Sequence, residues 1–175
     1  MRHYTGSFTT PIGLLSIVVD GQGAVKQLHF GRLDEIDRYP DDAAIKPVRD
    51  QVEEYFAGDR KAFDLPLSPD GTPFQRSVWD GLLTIPFGKT LSYGQLAERV
   101  GRAGAFRAVG AANGANPIAL IIPCHRVIGS DRTLTGFGGG IPIKATLLAH
   151  EGVITRGQAA NADRRTRIEV QPSLF

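Results

Sequence analysis

The stretch Leu65-Pro66-Leu67-Ser68-Pro69-Asp70-Gly71 divides this chain into two parts that fold by different rules, because its prolines and Asp-Gly step favour turns. Before it, Tyr4 to Phe8, Leu14 to Asp20 and Val25 to Phe30 are short β-rich runs. Thr9-Thr10-Pro11-Ile12-Gly13 and Gly21-Gln22-Gly23 separate them, which predicts an antiparallel meander. Ile45, Val48, Val52, Tyr55 and Phe56 then recur at helical spacing, with Gly58 placed to end the helix.

Beyond the joint the pattern is helical. Thr72 caps a helix with Pro73 at its first position and Phe74, Val78 and Leu82 as its stripe. Ser92 caps a second helix, Tyr93 to Val100, whose inward face is Leu96, Ala97 and Val100. A third runs roughly from Ala105 to Ala115 and stops at Asn116-Pro117, and a last one spans Pro142 to His150, packing through Ile143, Leu147 and Leu148. The expectation is an α+β protein. A small N-terminal antiparallel sheet plus helix domain covers 1–68, a mostly helical C-terminal domain with a helix-turn-helix covers 71–152, and a flexible basic tail covers 153–175.

Charge divides at the same joint. Residues 1–70 carry 8 Lys or Arg against 12 Asp or Glu, and residues 71–175 carry 12 against 6. A net +6 on the second part suggests that it alone meets a polyanion, although a solvated surface gives the same count. No apolar run approaches the roughly 18 to 20 residues that span a bilayer, and the N-terminus lacks a signal-peptide pattern, so a cytoplasmic protein is expected.

The third helix is almost bare. Ala105, Ala108, Gly110, Ala111, Ala112 and Gly114 leave Phe106, Arg107, Val109 and Asn113 as its larger side chains. Joined to its predecessor by Gly101-Arg102-Ala103-Gly104, it forms a helix-turn-helix slim enough for Arg107 to enter a groove of DNA. Tight helix packing is the competing explanation for its small residues.

The segment Ile121-Ile122-Pro123-Cys124-His125-Arg126-Val127 holds the one cysteine of 175 residues, beside a histidine. One thiol makes no internal disulfide. With no cysteine pair and no His-x-x-x-His spacing, neither a metal nor another cofactor is expected. The apolar run Asn116 to Leu120 reads as a short buried strand delivering Cys124 to a turn at Pro123. A thiol attacks well only as thiolate, and His125 is the obvious base. Neighbours in an extended chain point to opposite sides, so the pair needs a bent backbone or a bridging water. Glu151 and Asp131 are the nearest carboxylates in sequence to orient the imidazole. The glycine-rich loop from Gly129 to Gly140 has no Gly-Lys-Ser/Thr ending, which argues against a nucleotide site. It brings backbone N–H groups close to a flat ligand, with Phe137 available to stack.

Pro123-Cys124-His125-Arg126-Val127 resembles the signature of the O6-alkylguanine-DNA alkyltransferases, self-inactivating DNA repair proteins. The likeness extends through Gly71-Thr72-Pro73-Phe74-Gln75, Ser92-Tyr93-Gly94-Gln95-Leu96-Ala97, Arg107-Ala108-Val109-Gly110, Asn116-Pro117, Leu134-Thr135-Gly136 and Leu147-Leu148-Ala149-His150-Glu151-Gly152. It implies that Cys124 accepts a methyl or alkyl group from O6-alkylguanine in double-stranded DNA, with O4-alkylthymine a further candidate. His125 would act as a water-mediated base oriented by Glu151, with Asn116 supporting the network. Tyr93 would donate toward the base and help rotate the nucleotide, while Arg107, flanked by Ala108 and with Asn113 on the same helix, would meet the DNA and fill the gap left by the flipped base. The backbone at Cys124 and Val127 would bind the guanine amino group, and Phe137 and Gly138 would close over the lesion. The chain departs from the family where many members carry tyrosine at Phe137 and some carry serine at Gly138.

The last residues, Gln171-Pro172-Ser173-Leu174-Phe175, resemble the peptide by which bacterial proteins dock on the replication sliding clamp, through Gln171, Leu174 and Phe175. The protein itself is expected to be a monomer. Two other functions compete with alkyl transfer: a helix-turn-helix lesion sensor or regulator that forms no covalent bond, and a cysteine hydrolase using Cys124 and His125.

Overall fold

The computed structural model describes residues 1–33 and 38–169. Two compact units emerge, Met1–Asp70 with Pro117–Ile121, and Gly71–Asn116 with Ile122–Phe175. The first unit therefore includes five residues from within the stretch expected to be one continuous second domain.

In the first unit β1 (His3–Thr10), β2 (Gly13–Asp20) and β3 (Val25–Phe30) form the expected antiparallel meander. A two-residue strand, β4 (Tyr39–Pro40), adds in parallel to β1, so the sheet is mixed, in the order β3-β2-β1-β4. Leu15 to Asp20 are buried without alternation, so β2 has no solvent face. Helix α1 (Asp42–Ala57) starts at Asp41, whose carboxylate accepts from the N–H groups of Ala43 and Ala44, and ends at Gly58 with φ 86°. It buries Ile45, Val48, Val52 and Tyr55. Gly6 on β1 leaves the space that Ile45 fills, since a Cβ there would lie 2.7 Å from the Ile45 side chain.

Residues 116–121 correct one expectation. They form a turn with a single bridge from Ile118 to Leu28, and Leu120 has φ 70°, which no strand tolerates. Apolar content alone suggests a strand, but the bend at Leu120 limits the pairing to that one bridge.

The second unit contains α2 (Pro73–Leu83), β5 (Leu91–Ser92), α3 (Tyr93–Arg99), α4 (Phe106–Gly114), a 3-10 turn over Cys124–Arg126, β6 (Val127–Ile128), α5 (Ile141–His150) and α6 (Arg156–Ala160). Thr72 with Gln75 and Ser92 with Gln95 make reciprocal capping boxes at the starts of α2 and α3. Trp79 on α2 is buried and donates from Nε1 to the Ala112 carbonyl at 2.9 Å, tying α2 to α4. Val109 and Ala112 complete the inward face of α4.

The stretch after Gly152 also differs from expectation. Residues 153–169, expected to be flexible, carry α6, and Ile154 and Ile168 are buried with Ile128, Leu134, Ala145 and Leu148. The N–H of Leu134 donates to Thr166 and that of Ile168 to Arg132. Two isoleucines outweigh the polar residues between them, because full burial of each is worth roughly 1.5 to 3 kcal/mol. The clamp-like Gln171, Leu174 and Phe175 lie outside the described residues. Among the described residues no helix is long and apolar enough to cross a membrane.

Candidate active site

Cys124 opens a single 3-10 turn, held by N–H donation from Cys124 to Ile122 at 2.8 Å and from Arg126 to Pro123 at 3.0 Å. The backbone at the cysteine and histidine is therefore bent rather than extended. β6 follows at once and pairs in parallel with β5, Leu91 opposite Val127 and Ser92 opposite Ile128, which seats the turn next to the start of α3.

His125 is completely buried, and its Nε2 lies 2.8 Å from Glu151 Oε1 at the end of α5. Asp131 is excluded as the orienting carboxylate, since it is exposed and hydrogen-bonded to Thr133. A carboxylate acceptor places the proton on Nε2 and leaves Nδ1 as the basic nitrogen, and Nδ1 is buried without a hydrogen-bond partner. Burial holds the His125 pKa below its ordinary value, with Glu151 opposing, so the imidazole is neutral at physiological pH. Burial likewise raises the Cys124 thiol, opposed by a hydrogen bond from the Asn116 side chain and by the charge of Lys144. The resting group is a thiol, and the basic nitrogen belongs to the next residue. Asn116 also donates from Nδ2 to the Ile122 carbonyl at 2.8 Å, bracing the turn that carries the thiol.

Glu151 has more partners than the sequence indicated. Arg126 donates to it from Nε and Nη2, each at 2.9 Å, and the N–H of Gly88 donates at 3.3 Å. Arg126 Nη1 also donates to the Ile85 carbonyl at 2.6 Å. Burial alone would raise the Glu151 pKa, but the hydrogen bonds from His125 and Arg126 and the charge of Arg126 outweigh it and hold the carboxyl far below the usual carboxylate range. Arg126 thus holds Glu151 in place, a contact that its position in the Pro123–Val127 motif did not reveal.

Lys144 was missed altogether. It is fully buried on α5, and Nζ donates to the carbonyls of Val127 and Leu134, both at 2.6 Å. Burial pulls its pKa down to about 8, while a negative Cys124 would raise it. A lysine placed three and four residues before the buried Leu147 and Leu148 was the available signal.

Of the other predicted residues, Tyr93 is half-buried at the start of α3 with its hydroxyl 3.1 Å from Thr135 Oγ1. Arg107 and Ala108 are exposed on α4, next to Phe106, which is 51% exposed. Asn113, expected to meet DNA, is instead buried at 6% exposure with Oδ1 unpartnered, because it falls on the same inward face as Val109 and Ala112. Val127 is buried, Phe137 is half-buried and Gly138 is exposed. Tyr93, Gly94, Phe106, Gly110, Thr133 and Thr135 are among the residues that line a groove of about 530 Å³ between the helix-turn-helix and the 129–135 loop. Among the described residues no cluster of His, Cys, Asp and Glu could hold a metal ion.

Known proteins resemble this chain over most of its length. Residues 73–153 match the family model for the 6-O-methylguanine DNA methyltransferase DNA binding domain, and residues 3–69 match the model for its ribonuclease-like domain. The methylated-DNA–protein-cysteine methyltransferase of Shigella flexneri is 45% identical over 168 residues, covering 88% of this chain and 98% of that protein. Its counterpart from Mycobacterium tuberculosis strain H37Rv is 47% identical over 154 residues, covering 86% and 93%. The crystal structure of Mycobacterium tuberculosis OGT in complex with DNA superposes with a TM-score of 0.80 at 44% identity, covering 85% of this chain and 93% of that one. The chain belongs to the family of methylated-DNA–protein-cysteine methyltransferases.

Proposed function

We propose that this protein repairs DNA by direct reversal, moving a methyl or larger alkyl group from guanine O6 in duplex DNA to Cys124. The observation that carries this reading is the buried line from Glu151 to His125 Nε2, which leaves Nδ1 as the basic nitrogen on the residue that follows the chain's one thiol. The thiol proton passes to Nδ1 through a water, Sγ attacks the alkyl carbon, and the bond from that carbon to O6 breaks. Guanine leaves with the electron pair, its developing charge stabilised by a hydrogen bond from the Tyr93 hydroxyl, and it takes up the proton that His125 Nδ1 received from the thiol. The product thioether has no good leaving group, so each molecule reacts once.

Reaching O6 requires the nucleotide to leave the stack. Arg107 is suited to fill the gap, because the small, exposed residues around it, Ala108, Ala111 and Gly114, let α4 lie close to the minor groove. Phe137 and Gly138 close over the base, and carbonyls at Cys124 and Val127 accept from its amino group. O4-alkylthymine is a second candidate substrate. The protein works as a cytoplasmic monomer, and Gln171, Leu174 and Phe175 dock it on the sliding clamp; a pull-down unaffected by deleting the last five residues would refute that docking.

Analysis of the DNA tests the reaction. After incubation, nucleoside digestion should show O6-methylguanine converted to guanine, one lesion per protein molecule, and no conversion with Cys124→Ala. Lesions that stay intact while the protein remains bound would leave only the non-covalent sensor.

A further inference from the structure

Thr135 occupies a backbone conformation that β-branched residues rarely adopt, with φ 60°. The other non-glycine residues at positive φ among those described, Leu120 and Arg132, are not β-branched. Such a conformation persists only where surrounding contacts over-determine it, and it is concentrated at functional sites. Three contacts do so here. The Thr135 N–H donates to the Arg164 backbone carbonyl at 3.1 Å, Oγ1 donates to the Leu134 carbonyl at 2.6 Å, and Oγ1 lies 3.1 Å from the Tyr93 hydroxyl. The Leu134 carbonyl is itself fixed by the buried Lys144 ammonium at 2.6 Å. Gly129 leaves room for the arrangement, since a Cβ there would approach Thr135 Cγ2 to 3.1 Å.

The hydrogen count decides the direction of the Tyr93 contact. A threonine hydroxyl has one proton, and Thr135 directs it at Leu134, so at Tyr93 it must accept. Tyr93 is therefore the donor, and burial, opposed by this hydrogen bond, keeps its pKa above the ordinary phenol value. The phenol is held, protonated, on the wall of the groove that runs along α3 and α4.

We propose that Thr135 is a positioning residue for alkyl transfer: its hydroxyl holds the Tyr93 phenol and its proton at the groove until the alkylated base replaces Thr135 as acceptor. The inference rests on the reading of Tyr93 as donor to that base. One hydrogen bond is exchanged for another, from Thr135 Oγ1 to an acceptor on the base, and Thr135 keeps its own proton on Leu134 throughout.

Single-turnover transfer from duplex DNA containing O6-methylguanine tests it, with Thr135→Val, Thr135→Ser, Tyr93→Phe and the Tyr93→Phe/Thr135→Val pair. Thr135→Val should slow transfer about fivefold, the worth of one hydrogen bond, and Thr135→Ser should restore it. In the Tyr93→Phe background Thr135→Val should have no further effect. Should Thr135→Val fail to fold by its melting curve, Thr135→Gly, unstrained at this φ, should show the same fivefold loss while Thr135→Ser keeps the rate. The inference is overturned if serine does not rescue, or if Thr135→Val slows the Tyr93→Phe protein as much as the parent. Full-rate transfer by Tyr93→Phe alone would instead overturn the reading of Tyr93 on which it rests.

Discussion

Replacing Glu151 with glutamine removes one charge and almost no volume, yet four hydrogen bonds converge on that carboxylate. The carboxylate accepts from His125 Nε2, from Arg126 Nε and Nη2, and from the Gly88 N–H. A carboxamide offers one acceptor oxygen and one donor nitrogen. With its NH2 at the Oε2 position it faces two donors, Arg126 Nε and Gly88 N. With its NH2 at Oε1 it faces His125 Nε2, which can accept only by moving the imidazole proton to Nδ1, and the base is then lost. Either orientation also leaves the Arg126 guanidinium without a counter-charge where its side chain is only 8% exposed. Breaking a buried pair from one side costs about 3 to 5 kcal/mol, and the lower end suits a conservative amide. For a chain of this size that lowers the melting midpoint by about 6 to 12 °C. Loss of a positioned base should slow single-turnover transfer at least about 100-fold. The acid limb provides an independent check. Because the folded pKa of Glu151 is depressed, its contribution is complete above the unfolded value near about 4.3 and is lost as pH falls toward the folded one. The glutamine variant should therefore lose less stability than the parent on acidification below about pH 4. A midpoint within about 2 °C of the parent, together with transfer within about threefold, would refute the reasoning.

Further outcomes follow from the same geometry. Arg107→Ala should slow repair of duplex DNA by about tenfold or more while leaving reaction with a free alkylated guanine base nearly unchanged, because only duplex DNA has a gap to fill. Since burial lowers the His125 pKa, the transfer rate should stay flat as pH falls from about 7 to 6, and a drop centred on the ordinary imidazole value near 6.5 would contradict a buried neutral base. Ile168→Ala should cost about 2 to 4 kcal/mol in urea denaturation, because Ile168 is fully buried; a loss below about 0.5 kcal/mol would return residues 153–169 to the status of a loose tail.

The elements with local signatures were legible in the sequence. Thr72 and Ser92 announced helix starts through their caps, and Gly58 announced a helix end at positive φ. What escaped was set by partners distant in sequence. β4, β5 and β6 are two residues each, too short to show a period, and exist because β1 or one another offers an open edge. The run at 116–120 is apolar enough for a strand, but nothing local announces the positive φ at Leu120. At the site, Cys124 and His125 stood out by adjacency, and Glu151 was one of two carboxylates in reach. Arg126 and Lys144 acquire meaning only when α5 brings Glu151 and the Leu134 carbonyl beside them, 25 and 10 residues away along the chain. Asn113 illustrates the converse: its chemistry suited DNA, but its position on the inward face of α4 decided its place.

If Cys124 is the alkyl acceptor, it is consumed by its own reaction. The most direct measurement is the intact-protein mass after incubation with excess duplex DNA containing O6-methylguanine, followed by mapping of the modified peptide. The expected result is a gain of one methyl group per chain, located on Cys124, with no further gain at longer times and none in Cys124→Ser. An unchanged mass while the lesion disappears, or a methyl group on another residue, would contradict it.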